Sequence, residues 1–138
     1  MREPPAYGVY PWWPENGDQW IHPEDVEIVV RLIPGTRVFR RDRRLPKFVL
    51  LSYGDQRFRI RPRLWEEVRP EGFDVGDQVE IRSRLGKNLP GLAVICEMIW
   101  QRERRRIFYH LRQHGMRIPR CYTAADLRQV KFLNPPTK

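Results

Sequence analysis

Residues 48–61 read FVLLSYGDQRFRIR, and this stretch decides the fold class. Two β-rich runs, KFVLLSY and QRFRIR, flank Gly54–Asp55, a pair suited to a two-residue hairpin turn. In the second run Phe58 and Ile60 alternate with Arg57, Arg59 and Arg61. Successive strand side chains point to opposite faces, so this spacing predicts an apolar inner face and three arginines on one outer face. Upstream, TRVFRRD is a third short strand. Downstream, Pro62 ends ladder pairing and LWEEV closes a small β unit.

The same grammar continues towards the C-terminus. GFDVGD marks a boundary near residues 70–76, followed by expected strands at 77–83, 91–101, 105–112, 117–122 and 127–131. Turns fall at Arg102–Arg104 and His114–Gly115, and Thr123 with Asp126 forms a capping signal for a one-turn helix. FVLLSYGDQRFRIRPRLWEEV is echoed by IFYHLRQHGMRIPRCYTAADLRQV. Each reads strand, tight turn, Arg–Ile strand, Pro–Arg, irregular turn and final strand, which suggests two related units.

Residues 1–22 differ. Tyr7, Tyr10, Trp12, Trp13 and Trp20 crowd a proline-rich leader with neither helical nor strand period. Such a segment acts either as a lid over a small core or as an exposed stacking surface. One helix is predicted over about 23–33, with Pro23 at its first position, Glu24 and Asp25 at its N-terminal dipole, and Pro34–Gly35 as its stop. Val26, Val29, Val30 and Ile33 form its apolar side.

The 138 residues carry a net charge of +9, unevenly spread. Residues 1–34 have a net of −4, residues 35–69 of +7 and residues 70–138 of +6. Twenty-two of the 26 basic residues are arginine, whose planar fork binds phosphate bidentately and stacks on bases. Three clusters stand out: Arg40, Arg41, Arg43 and Arg44 with Lys47; Arg57, Arg59 and Arg61 with Arg63; and Arg102, Arg104, Arg105 and Arg106. Phosphate backbones reward such density through counterion release, and neighbouring Tyr53, Trp65 and Trp100 offer stacking faces. The competing reading is a solvated basic face, balanced in part by the acidic leader.

Catalytic patterns are missing. Cys96, His110, His114 and Cys121 lack the closely spaced pairs that zinc favours. Glu66–Glu67 are adjacent and point apart on a strand, and no glycine-rich phosphate loop is present. Two cysteines fit a reducing compartment, and a bridge between them requires neighbouring strands. The opening MREPPAYGVYPWWP lacks the apolar centre of a signal peptide, and no apolar run approaches the roughly 20 residues of a membrane span. A cytoplasmic location is therefore expected, with no cofactor, metal or membrane partner.

VGDQVEIRS through AADLRQV resembles an SH3-like barrel of the Tudor or agenet type. The resemblance rests on the strand from Gly76 to Ile81, the long GLAVICEMIW strand, RIFYHLR, RIPRCY and the one-turn helix before DLRQV. It implies a bent five-stranded barrel binding peptide or nucleic acid in surface grooves. The family's methyl-ligand cage takes aromatics from loops, whereas Trp100, Phe108, Tyr109 and Tyr122 fall in predicted strands here.

The expected architecture is thus mainly β, with two small SH3-like barrel units in tandem. A leader and short helix occupy 1–34, a first small β unit 35–70, and the SH3-like barrel 71–138. The expected function is non-enzymatic binding of nucleic-acid backbone through the arginine clusters. The alternative is a protein-interaction module, homodimeric or not, that uses Trp12, Trp13 or Trp20, or a barrel groove.

Overall fold

A computed structural model describes residues 5–15, 17–82 and 91–130. Leader residues 1–4 and 16, and the ends of two expected strands at 83 and 131, lie outside them. Among these described residues the chain is mainly β, 50% strand against 12% helical. The first sheet contains β1 (Ala6–Val9), β2 (Phe39–Arg44), β3 (Val49–Tyr53), β4 (Gln56–Ile60) and β5 (Glu66–Val68), ordered β4-β3-β2-β1-β5. The second contains β6 (Gln78–Ile81), β7 (Gly91–Gln101), β8 (Arg106–Gln113), β9 (Met116–Tyr122) and β10 (Leu127–Gln129), ordered β10-β6-β7-β8-β9. All pairings are antiparallel.

The two orders are one topology. In each sheet the first strand sits between the second and the fifth, and the third and fourth follow outward as a hairpin. The echo in the sequence therefore corresponds to a repeated arrangement. The hairpin turns differ in kind: Gly54 has φ +68°, while His114 and Gly115 both lie in the left-handed region that a mirror-image type I turn needs. The expectation of closed barrels is corrected. Among the described residues each sheet is open, ending on β4 and β5 or on β9 and β10. Closure requires strongly tilted, staggered strands, and β5 and β10 are three residues long.

Instead of enclosing its own interior, each sheet buries a face against something else. One core joins Phe39, Leu51, Phe58 and Ile60 of the first sheet to Tyr10, Ile21, Val29 and Leu32. The other joins Val79, Ile95, Met98, Ile107 and Leu111 of the second sheet to Tyr7, Val9, Val38 and Val68. The apolar alternation of β4 and β8 falls inward as their period predicts. β7 ties the units together. Val38 N–H donates to Met98 C=O at 2.9 Å, Trp100 N–H to Thr36 C=O at 2.7 Å, and Met98 N–H to the Tyr53 hydroxyl at 3.0 Å.

The leader is less passive than its composition suggests. Ala6–Val9 forms an interior strand between β2 and β5. Gly8 is required there, because a Cβ would meet the Trp65 ring at 2.5 Å and the Glu66 carbonyl oxygen at 2.7 Å. Trp20–His22 then lies along β4: Arg61 N–H donates to Trp20 C=O and His22 N–H to Arg59 C=O. Trp13 packs edge-on between Tyr10 and Trp20, with ring centroids 5.7 and 5.8 Å apart. This chain of rings covers the first core, while Trp12 remains 60% exposed. The helix is shorter than expected. A 3₁₀ turn (Pro23–Asp25) leads into α1 (Val26–Val29), whose N-cap, Asp25, makes no side-chain cap bond and turns instead to Arg59.

Candidate functional site

Arg40, on β2, donates to Asp42 at 2.6 Å and to Asp74 at 3.1 Å, and the Tyr7 hydroxyl donates to the same Asp74 oxygen at 2.9 Å. The ladder register breaks between Arg41 and Arg43, at Asp42. Burial raises the Asp74 pKa and outweighs the help of Tyr7 and Arg40. Arg59 is held as firmly. Its Nε donates to Asp25 Oδ2 at 2.8 Å, its backbone N–H to the same oxygen at 2.8 Å, and its guanidinium also reaches Glu24. Burial by itself would raise the Asp25 pKa, but the Arg59 bonds hold it below the ordinary value. Arg40 and Arg59 are therefore committed to internal ion pairs.

The other arginines of this region spread over the sheet. A row across it runs Tyr7, Arg40, Ser52, Arg57. Arg40, Arg43 and Arg57 border a groove of about 690 Å³ that also contains Asp42 and Asp74. With two carboxylates against three arginines, and Arg40 already paired, this groove has mixed charge. Arg41 is half-buried and Arg44 exposed at the end of β2. Arg61 and Arg63 lie over the rings of Phe48 and Trp20 at 5.9 and 5.0 Å.

The hairpin between β7 and β8 differs. Arg102 leans on Glu66 at 2.5 Å, and Arg104 lies 5.8 Å from the Phe108 ring. Arg105 turns the chain with φ +52°, its N–H donating to Arg102 C=O. A left-handed residue without a glycine costs about 1 kcal/mol, so this tip retains a strained arginine where glycine would fit better. Arg104, Arg105 and Arg106 converge with Arg69 on a cleft of about 370 Å³, lined also by Thr123, Ala124 and Ala125. No carboxylate among the described residues forms an ion pair with any of these four. The one acid bordering the cleft, Glu71, accepts a hydrogen bond from the Tyr109 hydroxyl at 2.7 Å. Arg69 and Arg105 also border a second groove of about 590 Å³, lined in addition by Glu66, Glu67, Trp100 and Arg102.

Arg69 is the residue that sequence reasoning missed. It stands alone before Pro70, outside every cluster, and only the turn of the chain out of β5 brings it to the β7–β8 tip. The imagined zinc set does not assemble. His110 sits opposite Cys121, but Cys96 is on β7, with β8 between the two cysteines. Strands two apart are separated by roughly 9–10 Å, beyond the roughly 7 Å that a disulfide spans. Both thiols are free, and no group of three or more potential metal ligands occurs among the described residues.

A family model described as a family of unknown function, DUF6960, matches residues 1–128. The chain belongs to the DUF6960 family. The match runs from the leader through both sheets to Arg128 in β10, so the arginine cleft lies wholly inside the DUF6960 region. No curated protein and no solved structure matches this DUF6960 chain. No helix among the described residues is long and apolar enough to cross a membrane.

Proposed function

We propose that the protein is a non-enzymatic binding module that holds the phosphate backbone of a nucleic acid in the cleft of Arg69, Arg104, Arg105 and Arg106. The carrying observation is convergence: four arginines with no ion-pair partner among the described residues surround one concavity. Concentrated like charge around a low-dielectric wall focuses potential and favours a polyanion, and guanidinium forks match phosphate geometry. Each phosphate neutralised releases counterions, so affinity falls with salt. The shared strand order of the two sheets supports an SH3-like reading of both units, and two free thiols support a reducing, cytoplasmic setting.

Titration of labelled single- and double-stranded oligonucleotides by fluorescence anisotropy across a salt series tests this reading. Four phosphate contacts give a log–log salt slope of about −3 on a single strand. Replacing Arg104, Arg105 and Arg106 together by alanine lowers both affinity and slope. No binding at low salt, or a flat slope, refutes the proposal.

A protein-interaction role has one observation in its favour. Trp12 is 60% exposed, and Leu92 and Val94 on β7 are 53% and 41% exposed. Sedimentation of the chain, with and without Trp12→Ser, tests for self-association through that residue.

A further inference from the structure

The hairpin-tip cleft and its neighbouring groove differ in charge, and that difference has chemical meaning. In the cleft, four arginines face the single carboxylate of Glu71. In the groove, Arg102 is neutralised by Glu66, Glu67 adds a negative charge, and Trp100 supplies an indole. Arg69 and Arg105 border both. A ligand lying across the two therefore needs a strongly anionic end and a less charged, flat end joined by a short link. Together the concavities fall in the size range that takes one small organic ligand or a nucleotide-sized piece of a larger one.

Two details of the groove point the same way. The indole Nε1–H of Trp100 is covered and has no hydrogen-bond partner. A ligand in the groove cannot reach that covered atom, so its contact with Trp100 is with the ring itself, as stacking requires. β5 forms one wall, and its outer edge pairs with no strand among the described residues. Its backbone groups on that side have no strand partner, which suits the polar edge of an unpaired base; duplex DNA keeps that edge engaged within the stack.

We infer that the site takes single-stranded nucleic acid, with a phosphate among Arg69, Arg104, Arg105 and Arg106 and an adjacent unpaired base against Trp100. This rests on the polyanion reading above and narrows it. A peptide adding to β5 is the rival occupant. It has only three residues to pair with, and an acidic peptide would meet Glu66 and Glu67.

The test first varies the ligand on the full wild-type chain and then substitutes Trp100. Anisotropy competition at moderate salt compares a ten-nucleotide single strand with four competitors. These are a blunt duplex, an abasic strand of equal charge, inorganic polyphosphate and polyglutamate. The single strand is expected to bind about tenfold more tightly than the abasic strand, the size of one base–aromatic stack. Its advantage over the duplex should be similar. Trp100→Phe, which retains an aromatic ring, keeps most of that preference, whereas Trp100→Leu lowers the ratio of single-strand to polyphosphate affinity about tenfold. If abasic strand, duplex or polyphosphate binds as tightly as the base-bearing strand, the inference is overturned and the backbone reading stands. Polyglutamate binding best would overturn the inference in favour of a peptide site. No binding by any polyanion would sink both.

Discussion

Arginines that look alike along the chain have different jobs in the fold. Arg57 and Arg59 share a strand face and a sequence pattern, yet Arg59 closes a lock on Asp25, 34 residues earlier, and Arg57 stays exposed. Arg40 and Arg43 divide in the same way, because Asp74 lies 34 residues beyond Arg40. The clusters were legible in the sequence, but which members were already occupied was less so: Asp42 is local to Arg40, whereas Asp25 and Asp74 are distant in the chain from their partners. Asp25→Ala should destabilise the protein by about 2 kcal/mol, because it strips a buried acceptor from Arg59 and its N–H. Chemical denaturation read by Trp fluorescence checks this. The pH dependence has a definite sign. The folded-state pKa of Asp25 is lowered, so its contribution is full above the ordinary aspartate value and is lost as pH falls through that value towards its own. Asp74 is raised and acts in reverse, its contribution growing as pH falls through the raised value. The variant should therefore lose part of the wild-type decline in stability on the acid side.

At the scale of elements, strand alternation and turn chemistry made nine of the ten described strands readable. Val49–Tyr53, Gly54–Asp55 and Gln56–Ile60 follow the pattern that opens the sequence. β1 escaped because AYGV is short, is surrounded by prolines and contains a glycine, which usually weakens a strand. That glycine is there because Trp65 packs against it, a tertiary cause invisible locally. The helix was overestimated for a related reason: Asp25, the residue that should cap it, is drawn to Arg59. The β7–β8 hairpin offers a sharper experiment. Arg105→Gly removes a side chain from a left-handed position, so the variant should gain about 0.5–1 kcal/mol of stability while binding oligonucleotide more weakly. Thermal melts and titrations on the same sample would show the two effects moving in opposite directions. If both fall together, the arginine at the tip is there for folding. The edges show comparable care. β9, an outer strand, carries the exposed Pro119 together with Arg117 and Arg120, features that discourage pairing with another chain.

Across the whole molecule, the two units share a boundary too intimate for independent behaviour. Tyr53 of the first sheet accepts the buried Met98 N–H of the second, and burial pushes the Tyr53 hydroxyl pKa up, so it stays protonated at ordinary pH. Tyr53→Phe leaves that N–H without its acceptor and should cost about 1–2 kcal/mol. Urea unfolding followed by far-UV circular dichroism and by Trp fluorescence should give coincident single transitions in both proteins. Separated transitions would show that the sheets melt independently. The repeated topology was foreshadowed by the echo of the two hairpins, but the open sheets were not, because nothing in one strand's pattern says which surface will cover it. The covering arrangement has a further consequence for a chain made from its N-terminus. All five strands of the first sheet have left the ribosome once residue 68 emerges, yet Val9, Val38 and Val68 have no core to enter until the segment from Val79 to Leu111 follows. A nascent chain paused between these points would present a finished sheet with one sticky side, the stage at which a chaperone would find something to hold.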